Sequence, residues 1–462
     1  MSKCNDNYVD MSATNGTHEE LPGFDGITWR LPCRVAAMAR GLRLAAVGVA
    51  VTAAGGSMAA LAAGPSVLDG PQFNQNPMDV RHRPRPEYDP MGVPVGSFLL
   101  FPSLDIGEAF NSNIYATETN ETSDFITTYA PSLTLVSDWN NHAVALSAHA
   151  NGGVYAENSD ENFFDYGFSA GGRLDVRRST SVSAATSWDH RHEDRGSPED
   201  VNGDEPSEYD EFAIGIGGAT SPGRLSLGVD GNYTHLDFQN VQDNTGTTIN
   251  NDDRNQSIWE GIVRAGYAFK SDYEVFVQGT YTDIVYDETF DDNGLNRDNN
   301  GWRADLGLAF DITDTLAGDV FGGYLQRYYD DPAFTDTGSF DLGADLFWSI
   351  TPLTTAHAMV FRNFVETTQV GASSILETTG RLEIDHELLR NVIVGGHAEL
   401  TNFKYEGISR DDDVWSFGAD GRYLINRNFY FGGGADYIKR DSNAPTESYD
   451  QYQVGVFVGA QM

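Results

Sequence analysis

"WRADLGLAFDI" runs from Trp302 to Ile312. Trp302, Ala304, Leu306, Leu308, Phe310 and Ile312 fall on one phase of a two-residue period. Arg303, Asp305, Gly307, Ala309 and Asp311 fall on the other. Successive side chains of a β-strand point to opposite faces, so a strand here has one apolar face and one charged face. The same alternation recurs in "RLSLGVDGNYTHL" (224–236), "FDLGADLFWSI" (340–350) and "YQVGVFVGAQM" (452–462). After Val95 no stripe with helical spacing stands out, and no run approaches the roughly 20 apolar residues of a membrane helix.

Soluble sandwiches alternate as well, so the connections must decide. Here they switch regularly between short and long. Among the short ones are Arg178-Ser179-Thr180, Lys270-Ser271-Asp272, Thr313-Asp314-Thr315 and Thr351-Pro352-Leu353. Between them lie long polar loops such as "HEDRGSPEDVNGDEPSEYDE" from His192 and "QNVQDNTGTTINNDDRN" from Gln239. Short turns on one side and long loops on the other mark a transmembrane antiparallel up-and-down β-barrel, all-β, of about 18 strands with 16 as the alternative. In that frame the short turns are periplasmic and the long acidic loops extracellular. The segment least clear as a strand is 354–365, where Ala356, Ala358 and Val360 compete with Met359 and Phe361 for the outer face.

Aromatic placement agrees with a membrane. Trp139, Phe269, Tyr273, Trp348 and Phe429 lie beside short turns, while Trp188, Trp259, Trp302 and Trp415 lie near long-loop ends. Amphipathic rings gather at the two lipid–water interfaces in this way. In "GSFLLFPSLDIGEAFNSNIYAT" (96–117), Leu104, Ile106 and Phe110 are expected to face acyl chains. Phe98, Leu100 and Phe101 are expected in the interface. No strand edge survives in lipid, so the first strand must close against the last.

The chain's 68 acidic residues against 29 basic ones argue against nucleic acid, whose phosphates need clustered Lys and Arg. Residues 44–63, "LAAVGVAVTAAGGSMAALAA", follow Arg34, Arg40 and Arg43 and end in an Ala60-Leu61-Ala62 cleavage site. That is the layout of a secretory signal peptide, assigned to region 1–62, with Met38 as an alternative start. Cys4 and Cys33 both precede the cleavage point, so the mature chain is expected to hold no disulfide. Residues 63–95 hold seven prolines and read as an extended, mobile periplasmic tail, with a plug or a partner-binding arm as the alternative.

The stretch 96–117, "FFDYGFSAGGRLDV" (163–176) followed by "HEDRGSPED" (192–200), and "ETTQVGASS" (366–374) resemble the β-barrel outer-membrane, porin-like family of Gram-negative proteobacteria. The resemblance covers roughly residues 95–462 and implies fold and outer-membrane location more than activity. Some members lie near exopolysaccharide genes. One departure is the end of the chain, Gly459-Ala460-Gln461-Met462, where such barrels usually carry an aromatic residue.

No catalytic, cofactor or metal set emerges. His190 and His192 share a strand face beside Glu193 and Asp194, but they read as polar groups at a strand end. His142, His149, His357 and His397 are scattered over different hairpins, and no nucleophile elbow exists, so an enzyme is not expected. By phase, the lumen-lining residues include Asp230, Arg303, Asp305, Asp341, Asp345, Arg381, Glu383, Asp420 and Arg422. These imply a passive, cation-preferring channel for small hydrophilic solutes. The alternatives are an exopolysaccharide-export component with periplasmic partners, or a structural or adhesive surface barrel. Outer-membrane lipid, lipopolysaccharide and the barrel-assembly machinery are the expected partners, and a homo-oligomer stays open.

Overall fold

The computed structural model of the protein describes residues 79–312 and 315–462. The signal region 1–62, residues 63–78 of the tail, and Thr313 and Asp314 lie outside the described residues.

A short strand β1 (Val93–Val95) leads into β2 (Phe98–Asn111), β3 (Asp124–Ser137), β4 (Ala143–Tyr155), β5 (Phe163–Arg177), β6 (Thr180–His192), β7 (Glu208–Thr220) and β8 (Leu225–Phe238). A small hairpin, β9 (Val241–Gln242) and β10 (Thr248–Ile249), occupies the next loop. The chain continues through β11 (Gln256–Lys270), β12 (Tyr273–Tyr286), β13 (Asn299–Ile312), β14 (Leu316–Tyr329), β15 (Thr337–Thr351) and β16 (Thr354–Val365). It ends with β17 (Ser374–Leu389), β18 (Val392–Glu406), β19 (Asp411–Leu424), β20 (Phe429–Ser442) and β21 (Tyr449–Gln461). Helix among the described residues is confined to two 3-10 turns, Ser159–Glu161 and Asp252–Arg254.

One sheet joins 19 of these strands. Setting aside β1, which only clips the base of β2, leaves a wall of 18 antiparallel strands. The wall closes where β2 meets β21, from Ser103↔Gln461 to Asn111↔Gln453. Closure satisfies the edge groups that lipid could not. The ambiguous segment 354–365 is a wall strand, β16. Its register is held partly by the rings of Phe347 and His357, stacked 3.9 Å apart across the β15–β16 pair.

The two faces differ as the alternation predicts. Leu306 is 60% exposed and Asp305, its neighbour, 6%. Leu104, Ile106, Val229, Phe340 and Val456 are likewise exposed. In water this arrangement would leave a broad apolar surface uncovered; around a barrel it is the lipid-facing band. At the short-turn end Phe98 packs edge-on against Trp139 at 5.4 Å, and at the other end Tyr233 and Trp259 meet at 4.4 Å.

Two details differ from the sequence reading. Phe101 does not enter the interface. It shares the phase of Asp105, and its ring lies against Gly92, 2.9 Å from where a Cβ would stand. The continuous apolar run 98–101 hid the alternation there. Residues 79–92, expected as a loose linker, are pinned to the wall: Val80 is fully buried and Arg85 is 2% exposed. Proline excluded them from the sheet, but their arginines supply the contacts that a ladder would have made.

Candidate functional site

Strand alternation builds the inner surface. Asp230 (β8), Arg303 and Asp305 (β13), Asp341 and Asp345 (β15), Arg381 and Glu383 (β17), and Asp420 and Arg422 (β19) all lie on the phase opposite the exposed apolar residues. Several are brought together. Arg303 Nε lies 2.8 Å from Asp341 Oδ2, and its Nη2 donates to the Arg362 carbonyl at 2.8 Å. Arg381 pairs with Glu399 at 3.0 Å, and His357 with Asp345 at 2.7 Å. The Arg422 guanidinium sits over the Tyr430 ring at 4.7 Å. Asp230 joins none of these pairs, and its buried Oδ1 has no hydrogen-bond partner among the described residues. Aromatic rings lie flat on the same wall. Phe276 covers Gly307, coming within 2.1 Å of an added Cβ, and Arg264 stacks on Phe276 at 3.5 Å.

The loop between β6 and β7, residues 193–207, folds over the long-loop mouth. Its base is closed by Glu193 N–H donating to the Ser207 carbonyl at 2.7 Å. Arg254 makes a forked pair with Glu193, at 2.8 and 3.0 Å. Arg195 forks onto Glu161 of the β4–β5 loop at 2.6 and 2.9 Å. The tip then reaches distant strands. Arg440 of β20 donates to the Gly196 carbonyl at 3.1 Å, and the Tyr405 hydroxyl of β18 to the Pro198 carbonyl at 3.5 Å. The Glu199 carboxylate receives the Thr367 hydroxyl at 2.5 Å and the Thr368 N–H at 3.0 Å. Arg297 holds that receiving turn through the carbonyls of Thr368 and Ala372, both at 3.2 Å, while pairing with Asp291 at 2.8 Å. Burial raises the carboxyls of Glu199 and Asp200 above their ordinary values; Arg254 and Thr367 oppose this for Glu199, and Arg195 opposes it for Asp200.

At the short-turn mouth, residues 79–92 follow the inner rim under β16 to β21. Arg390 donates to the Pro84 carbonyl at 3.1 Å, and Arg427 Nη2 to the Pro86 carbonyl at 2.7 Å. Arg81 and Arg85 reach into the wall's carboxylates.

Alternation sets the charged face of each strand, but it carries no information about the residues that fold across the two mouths. Glu199 and Thr367 lie within "HEDRGSPED" and "ETTQVGASS", two of the segments that carried the family resemblance. The signal for Arg81 and Arg85 was an alternating Arg-x-Arg-x-Arg run (81–85) in a strongly acidic chain. His190 and His192 turn to different partners, Asp210 and Asp165, each at 2.8 Å. No cluster of three or more ligating side chains that could hold a metal exists among the described residues. Ser416 and Asp436 both approach His397, but at the same nitrogen, Nε2, at 3.3 and 3.7 Å. A base relay needs one partner on each ring nitrogen.

A closed 18-strand barrel with a lipid-facing apolar band, a charged interior and a loop folded into its mouth is an outer-membrane barrel of the porin class. The chain belongs to the family described as "Putative beta-barrel porin 2", which matches residues 85–462. Its place is the outer membrane of a Gram-negative bacterium. Solved structures with which it shares low similarity include OpdK of Pseudomonas aeruginosa with vanillate, at 10% identity over 79% of this chain and 99% of that one, TM-score 0.42. OpdL of Pseudomonas aeruginosa shares 13% identity over 80% and 99%, TM-score 0.41. The copper transporter OprC shares 9% over 80% and 81%, TM-score 0.43. No curated protein matches the sequence.

Proposed function

We propose that this porin-family barrel is a passive channel for small hydrophilic solutes and that it prefers cations. The carrying observation is the charge of the inner face. Of the nine wall residues named above, six are acids and three are arginines. Side chains alone cannot fill a bore ringed by this many strands, so water enters it. Carboxylates at the wall then concentrate cations and repel anions. The loop 193–207 narrows the long-loop mouth, bringing permeating ions within a Debye length of those charges.

The test is single-channel recording in planar bilayers, with reversal potentials under a KCl gradient. A cation-selective conductance is expected. Anion selectivity would reject the charge assignment. A folded barrel that never conducts would reject the channel.

A further inference from the structure

In a chain with 29 basic residues against 68 acidic ones, Arg81, His82, Arg83 and Arg85 crowd into five positions. The segment enters the short-turn mouth, and its contacts are built rather than incidental. Arg81 Nε lies 2.5 Å from Asp385 Oδ1 and 3.5 Å from Glu383 Oε1. Its Nη2 and Nη1 lie 2.7 and 3.1 Å from the two oxygens of Asp420. Asp385 and Glu383 come from β17 and Asp420 from β19. Between them β18 presents Gly395, where an added Cβ would stand 2.1 Å from Arg81 Nη2. The missing side chain leaves the seat that the guanidinium fills. Arg85 is 2% exposed, with Nη2 3.1 Å from Glu387 Oε2. Val80 N–H donates to Thr355 Oγ1 at 3.2 Å, and the Thr355 hydroxyl donates to Asp79 at 2.9 Å.

This docking changes the charge that an ion meets. Glu383, Asp385, Glu387 and Asp420 are four wall carboxylates at one mouth, and three guanidiniums from outside the wall are set among them, those of Arg81 and Arg85 closely and that of Arg83 at 4.0 Å from Glu387. The fixed charge of a narrow mouth decides which sign of ion is enriched there. We infer that Arg81 and Arg85 are specificity-determining residues, holding down the cation preference of the short-turn mouth by occupying its acid seats. The inference rests on the channel reading above. Because the arginines belong to a strap and not to a strand, selectivity can change through strap occupancy while the barrel stays intact.

Reversal potentials of the native protein and its variants test this, with folding checked by heat-modifiable gel mobility. Arg81→Gln should raise the potassium-over-chloride permeability ratio by about twofold or more at 0.1 M salt, where the Debye length is about 10 Å. Gly395→Ala adds no charge but fills the guanidinium's seat, so it should shift the ratio the same way. Adding Asp385→Asn and Asp420→Asn to Arg81→Gln should reverse the gain. Conducting channels with an unchanged ratio in both Arg81→Gln and Gly395→Ala would overturn the assignment and leave the channel standing. No conductance from native or variant barrels that are all folded would remove the channel reading and this assignment with it.

Discussion

Glu199 and Thr367 meet across the long-loop mouth, the Thr367 hydroxyl donating to the Glu199 carboxylate at 2.5 Å. Their loops adjoin β6 and β17, which have eight wall strands between them whichever way the barrel is travelled. One carboxylate thus ties a loop to the far side of the opening. Removing it leaves the partly buried Thr368 N–H without its acceptor, which costs about 1–3 kcal/mol. Glu199→Ala should therefore release the loop tip, raise single-channel conductance and expose residues 193–207 to protease. Unchanged conductance with increased cleavage would show that the loop moves but does not limit flow.

The same contact should respond to pH. Burial raises the carboxyl of Glu199 above 4.5 and that of Asp200 above 3.8 in the docked loop. Groups with a raised pKa favour the docked state fully below the ordinary value, and that contribution is lost as pH rises through the raised one. The loop should be held tightest in acid and loosen as pH climbs above the ordinary carboxylate values. Conductance should rise along the same interval, and Glu199→Gln should flatten the response. A conductance that falls with rising pH would contradict the sign.

The wall was legible because its two solvents are opposite in kind. Lipid and water impose a period of two on each strand, and Leu306 beside Asp305 carries that information locally. The short turns were legible because they hold polar and turn-forming residues between alternating runs. Neither mouth could be read this way. Glu199 finds Thr367 at a separation of 168 residues and Arg81 finds Asp385 at 304, through side chains that follow no period. Proline marked the segment 79–92 as unable to join the sheet, which is correct, but that says nothing about docking. Phe101 was misplaced for a related reason: inside an apolar run, phase leaves no trace.

Register itself can be tested at a single step of the chain. Leu306→Arg would put a guanidinium on the lipid face at a cost of about 2–4 kcal/mol near the bilayer midplane. Asp305→Asn, one residue away, alters only the inner face. The first should lose heat-modifiable mobility and reach the membrane poorly, and the second should assemble like the native chain. Equal assembly of the two would mean that the strand faces the other way round.

The proposed cation preference should depend on specific wall carboxylates. Asp305 lies on β13 and Asp341 and Asp345 lie on β15, with β14 between them; the register sets Asp305 and Asp341 on either side of Gly323, and Asp345 opposite Asp319. Asp341 is also the partner of Arg303, at 2.8 Å. Changing Asp341 to Asn therefore does two things at once: it removes a negative charge and takes away the arginine's direct partner. Asp305→Asn removes an acid beside Asp341 and leaves the Arg303–Asp341 pair in place. The single change at Asp341 should lower the potassium-over-chloride ratio more than the single change at Asp305. The triple variant, including Asp345→Asn, should lower it furthest. The differences should shrink as salt rises, because the Debye length falls from about 10 Å at 0.1 M to about 3 Å at 1 M. Reversal potentials at several KCl concentrations measure this. Equal effects of the two single changes would show that Arg303 is compensated from elsewhere in the bore, and no effect of the triple change would place the ion path away from β13 and β15.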